Sequence, residues 1–127
     1  MLKLDHLVLT VRSIERTGAF YEKVFGFRLV SADGRARLVT DEAPGFQINL
    51  HECGAERLPH AAHPLAGSAD LCFLSDRPTA ARLSHLALLG IPVECGPVSR
   101  IGAAGKMTSL YFRDPDGNLL EWASLED

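Results

Sequence analysis

The chain runs through the same succession of short motifs twice. Asp5-His6-Leu7 corresponds to Ala69-Asp70-Leu71, a spacing of 64, and Phe25-Gly26-Phe27 corresponds to Leu89-Gly90-Ile91 at that same spacing. Gly45-Phe46-Gln47-Ile48-Asn49-Leu50 then corresponds to Gly117-Asn118-Leu119-Leu120-Glu121-Trp122 at a spacing of 72. Few residues are identical between the copies, so the preserved order of elements carries the argument. One such unit is too small to bury both faces of its own sheet, which requires two copies to share a structure or to pair across a dimer. The step from 64 to 72 demands eight extra residues in the second half, and the segment Gly96 to Lys106 is their expected home as a loop. The 127 residues suffice for two units and little else.

Each copy reads as βαβββ. Residues 3–11 alternate as a strand, with Leu4, His6, Val8 and Thr10 on one face and Leu7, Leu9 and Val11 on the other. Ser13 is placed to cap a helix over Ile14 to Phe25, which Gly26 ends. Phe27–Ala32 and Arg35–Thr40 read as strands joined by the hairpin pair Asp33-Gly34. Pro44-Gly45 introduces a further strand, Phe46–Glu52. In the second copy residues 69–75 form the opening strand. A helix follows, with Pro78 in its first turn and Gly90 at its close. Strands are expected around Val93, over Met107–Phe112 and over Leu119–Leu125, the last two joined by the turn Asp114-Pro115-Asp116-Gly117. The domain expectation is one domain over 1–127, built from module 1 (1–53), a linker (54–68) and module 2 (69–127).

Composition narrows the functional classes. A net charge of −3 and no basic run leave nothing to neutralise a row of phosphates, so no nucleic-acid partner is expected. No apolar stretch approaches the ~20 residues of a membrane span, and the chain opens into a strand bearing Asp5 and His6 rather than a leader. A cytoplasmic location is the expectation. Three widely spaced cysteines, Cys53, Cys72 and Cys95, fit neither a disulfide framework nor a zinc ribbon.

Three segments carry a family resemblance that spans nearly the whole chain. They are the opening Leu4-Asp5-His6-Leu7-Val8-Leu9-Thr10-Val11, the helix end Phe20-Tyr21-Glu22-Lys23-Val24-Phe25-Gly26-Phe27, and the close Tyr111-Phe112-Arg113-Asp114-Pro115-Asp116-Gly117-Asn118-Leu119-Leu120-Glu121. In these the chain resembles the vicinal oxygen chelate superfamily, and within it a branch of small glyoxalase-domain proteins. That superfamily holds glyoxalase I, extradiol dioxygenases, fosfomycin resistance transferases and bleomycin-binding proteins. The resemblance implies an α+β fold of two tandem βαβββ modules, with curved mixed sheets around a cleft. It also implies a divalent metal held from four equivalent strand positions, one in the first and one in the last strand of each module. Those positions carry His6, Asn49, Asp70 and Glu121 here.

His6 and Glu121 bring an imidazole and a carboxylate, both good ligands for a divalent ion. Asp70 stands where the family usually has His, and Asn49 where glyoxalase I usually has Glu. The first departure breaks the two-His, one-carboxylate set of the iron dioxygenases, and an oxygen-rich set favours harder ions. Mn, Ni, Zn and Fe all stay open. His51 shares the face of Asn49, displaced by roughly 7 Å along the strand. It either completes a set with His6 and Glu121 or lines the cleft. The apolar neighbours of Glu121 leave a second reading for that residue, a buried ion pair with an arginine.

Asn49, Tyr111 and Arg100 are the expected substrate contacts, Arg100 and Lys106 flanking a glycine-rich loop that would bring positive charge to an anionic ligand. The alternation of Met107, Ser109 and Tyr111 against Leu110 and Phe112 does not say which face looks inward. Cys72 is expected as a small buried residue and His85 as a surface one. The leading functional expectation is metal-dependent lyase or isomerase chemistry on a small oxygen-chelating substrate, in a homodimer, with Glu121 also able to leave the metal and act as base. The alternatives are extradiol-dioxygenase-like chemistry and a non-catalytic binding protein like the bleomycin-sequestering relatives.

Overall fold

A computed structural model of the chain describes residues 1–42 and 45–126. The described residues form β1 (His6–Val11), α1 (Ile14–Phe25), β2 (Arg28–Ala32), β3 (Arg35–Val39), β4 (Gln47–Glu52), β5 (Asp70–Leu74), α2 (Thr79–Leu88), β6 (Cys95–Gly102), β7 (Gly105–Arg113) and β8 (Leu119–Leu125). Pro44, expected to lead into β4, lies outside the described residues. The strands make two open four-stranded mixed sheets, ordered β1-β4-β3-β2 and β5-β8-β7-β6. The fold is therefore α+β with two copies of βαβββ, as the repeat required.

The repeat extends to strand register. His6 pairs with Gln47 in the parallel β1–β4 ladder, and Asp70 pairs with Leu119 in the parallel β5–β8 ladder. One step further on the same face, Asn49 lies between Val8 and Arg37, and Glu121 between Cys72 and Tyr111. A spacing of 64 in the first strand of each sheet and 72 in the last is what keeps these partners equivalent.

The chain divides into two compact units, one of residues 1–69 with Pro115–Gly117, the other of Asp70–Asp114 with Asn118 onward. In the first unit, the Ser13 hydroxyl accepts the Arg16 amide at 3.2 Å and starts α1. Gly26, at φ 78°, ends it and donates its N–H to Glu22 at 2.9 Å. Tyr21 and Val24 of the helix are buried, as are Leu38, Ile48 and Leu50 on one face of the sheet. The other face carries His6, Val8, Thr10, Gln47, Asn49, His51 and Arg37. Asp116 ties the turn into this unit, accepting the Arg12 amide at 3.1 Å beside the start of α1.

In the second unit Leu110, Phe112, Leu120 and Trp122 are buried on the α2 side of the sheet. That settles the alternation in β7, for Met107, Ser109 and Tyr111 share the opposite face with Glu121. Fully buried Arg82 of α2 donates to the Trp122 and Thr108 carbonyls and to the Ser124 hydroxyl.

The expected glycine-rich loop at Gly96–Lys106 does not exist. β6 begins at Cys95, two residues beyond Val93, and pairs with β7 as far as Gly102–Gly105, leaving a two-residue turn. The eight extra residues lengthen a hairpin instead: β6 and β7 have 8 and 9 residues where β2 and β3 have 5 each. Gly96, Pro97 and Gly102 disguise this strand in the sequence.

Candidate metal and substrate site

Glu121 sits in the middle of the second sheet, half-buried, on the face away from α2. The fully buried Ser109 hydroxyl donates to its Oε2 at 2.6 Å, a short charge-assisted bond that fixes the carboxylate. The Tyr111 hydroxyl and the Cys72 thiol are its other close neighbours, near enough to feel its charge. All three groups are neutral, and among the described residues Glu121 forms no ion pair. The arginine partner considered from the sequence is thus not made.

These neighbours are tuned by their setting. Burial, then the Glu121 charge and hydrogen bond, and then Asp70, push the Cys72 thiol up to about 11. Burial also pushes the Tyr111 hydroxyl up. The Arg100 hydrogen bond works against this and the Glu121 charge adds to it, leaving the hydroxyl protonated at neutral pH. Arg100 holds that hydroxyl from Nε at 3.1 Å, its guanidinium carbon 5.5 Å from the ring centroid. Cys72 is exposed, not buried as expected, because the face it shares with Glu121 is the one away from α2. Asp70 is exposed at the start of β5, two residues from Cys72.

The first unit places His6 at the start of β1. Its Nδ1 meets Asp5 Oδ2 at 2.8 Å, and its side chain is 43% exposed. A carboxylate on Nδ1 fixes the tautomer and turns Nε2 outward, the arrangement commonly behind metal-binding imidazoles. Asp5 was not singled out from sequence, although its place beside His6 was a readable sign. Asn49 accepts Gln47 Nε2 on Oδ1 at 2.9 Å. His51 pairs with Thr10, not with His6, four positions along β1 and roughly 13 Å away at strand rise. His85 is only half-buried on α2 and packs edge-on against Trp122, which takes it off the free surface.

Residues 3–122 match the Glyoxalase/Bleomycin resistance protein/Dioxygenase superfamily. The chain belongs to that superfamily. This glyoxalase-superfamily chain is 44% identical over 119 residues to virulence protein STM3117 of Salmonella typhimurium, covering 94% of its own length and 81% of the relative's. The crystal structure of that virulence protein superposes with a TM-score of 0.93 at 42% identity, covering 99% of this chain and 98% of the other. This chain is also 43% identical over 125 residues to the glyoxalase domain-containing protein RDO1 of Mycosarcoma maydis, covering 98% of its own length and 69% of that protein. An integron cassette protein from the mobile metagenome of V. cholerae superposes with a TM-score of 0.91 at 46% identity, over 99% and 97% of the two chains.

Members of the superfamily commonly use divalent metals, and the donors of this glyoxalase-superfamily chain can be tested against that chemistry. Among the described residues, no three His, Cys, Asp or Glu side chains are gathered as a ready-made cluster. Two donors nonetheless suit such an ion individually: an imidazole steered by Asp5, and a carboxylate fixed by the neutral Ser109 hydroxyl with no ion pair among the described residues. No helix among the described residues is long and apolar enough to cross a membrane.

Proposed function

We propose that the protein is a metal-dependent enzyme of lyase or isomerase type acting on a small substrate with two adjacent oxygens. The observation that carries this reading is Glu121, a half-buried carboxylate that, among the described residues, is held by the neutral Ser109 hydroxyl and by no cation. Such a group calls for a positive partner. His6 and Glu121 are the assigned metal donors, with Asp70 to complete the set; His51, which pairs with Thr10 four positions along the strand from His6, is assigned to line the substrate cleft instead. A bound divalent ion supplies Lewis acidity, neutralising charge that develops on substrate oxygen.

The chain's own residues do the rest. Glu121 is the catalytic base, and Ser109 keeps its carboxylate aligned through the 2.6 Å bond. Tyr111, protonated at neutral pH and held by Arg100, donates a hydrogen bond to substrate oxygen, and Asn49 contributes a further polar contact. The open sheets leave strand edges that favour pairing of two copies, and the protein is read as a cytoplasmic homodimer.

The test is the metal content of protein purified without chelator. Wild type is expected to carry a stoichiometric divalent ion, and the His6→Ala and Glu121→Gln proteins to lose it while staying folded. A metal-free wild type whose melting temperature ignores added Mn²⁺, Ni²⁺, Fe²⁺ and Zn²⁺ removes the reading. Light scattering at the mass of one chain removes the dimer.

A further inference from the structure

The face of the first sheet away from α1 is rich in hydrogen-bond donors and has no carboxylate on its strands. Arg37, half-buried in β3, lies beside Asn49 in the ladder. Among the described residues its guanidinium has neither a hydrogen bond nor an ion pair, whereas Arg28 on the same face is neutralised by Asp41 at 2.9 Å. The Asn49 oxygen already accepts Gln47 Nε2, which leaves both N–H groups of its amide free to donate to an incoming molecule. No strand residue on this face, in β1 to β4, is Asp or Glu. The acid that interacts with His51 is Glu56 in the following loop, and its carboxylate is held by the Gly54 amide at 2.9 Å.

A partly buried guanidinium without a counter-charge, next to an amide that offers donors, is matched by one kind of group, a compact oxyanion taken in the bidentate manner of arginine. The repeat sharpens the point. Arg37 stands to Asn49 as Tyr111 stands to Glu121, so the two sheets present a cation and a neutral hydroxyl at equivalent positions. We infer that Arg37 and Asn49 form a subsite for the anionic group of the substrate, a carboxylate or a phosphate-like group. The inference rests on the proposed enzymatic reading but concerns only the first unit.

The experiment is an NMR titration of the chelator-treated full-length protein with sodium acetate, inorganic phosphate, acetamide and sodium chloride at matched ionic strength. Chelator removes any dependence on metal, so failure of the metal assignment leaves this test intact. Acetate or phosphate is expected to shift the Arg37 and Asn49 signals saturably, and the anion that does so names the class. Acetamide and chloride are expected not to. Arg37→Gln is expected to weaken binding roughly tenfold or more, with Arg37→Lys in between. Equal shifts by acetamide or chloride, no saturable shift by either anion, or undiminished binding by a folded Arg37→Gln protein overturns the assignment. Should that variant not fold, the wild-type comparison of acetate and phosphate with acetamide decides alone.

Discussion

Cys72 illustrates how burial and a neighbouring carboxylate together set the chemistry of a thiol. The thiolate is the reactive form of cysteine, and burial together with Glu121 pushes this thiol from 9.0 up to about 11. Because the folded value is the higher one, the stabilisation is fully present below about pH 9 and is lost as pH rises toward 11. Alkylation of Cys72 by iodoacetamide should therefore stay slow at pH 8 despite exposure, with a midpoint near 11, and Glu121→Gln should move the midpoint down. Equal reaction rates of Cys72, Cys53 and Cys95 at pH 8 would refute this. Arg82 makes a different case. Its guanidinium is fully buried without a carboxylate, and its charge is spread over the carbonyls of Arg77, Trp122 and Thr108 and the hydroxyls of Thr79 and Ser124. Arg82→Met leaves several buried acceptors unmet and should cost about 3 kcal/mol, read as a lower urea midpoint at unchanged slope. Nothing in the sequence separates this arginine from one pointing to solvent, since helix 2 offers no acid to partner it.

Glycines with positive φ mark element boundaries, and two of them respond differently to a methyl group. Gly26, at φ 78°, closes α1 with open space around its missing Cβ, so Gly26→Ala should cost about 1 kcal/mol from backbone strain alone. Gly96, at φ 114°, would place a Cβ 2.4 Å from the Ser109 carbonyl oxygen. Gly96→Ala must push β6 off β7 as well as strain the backbone. Its melting temperature should fall clearly further than that of Gly26→Ala; equal losses would show the β6–β7 contact to be dispensable. These two positions also explain what was readable beforehand. α1 was legible to the residue because a serine cap and a terminal glycine are local signals. β6 was not, because its glycines and proline are turn residues by composition and become a strand only through pairing with β7. The site divides the same way: His6 and Glu121 are candidates through the family resemblance laid on the repeat, but the Ser109 bond, the Asp5 contact and the absence of a partner for Arg37 among the described residues depend on which side chains meet.

Across the whole molecule, the unit containing residues 1–69 also contains Pro115–Gly117. Asp116 is 8% exposed there, accepting the Arg12 amide at 3.1 Å and the Thr17 hydroxyl at 3.5 Å. Its main-chain oxygen lies so near Gly67, at φ 81°, that any Cβ there would come within 2.5 Å. A peptide of residues 1–69 lacks these partners for Arg12 and Thr17, and in urea it should unfold at a lower midpoint than the intact protein, without a sharp transition. A cooperative transition at the intact protein's midpoint would show that the borrowed turn adds nothing. There is a consequence for biosynthesis. The ribosome must deliver residue 117 before the earlier half has all its partners, so the two halves cannot mature one after the other in the order they are made. From Glu52 to Gly117, about half of the sequence, the nascent chain carries every strand of the first sheet without the turn that completes its unit.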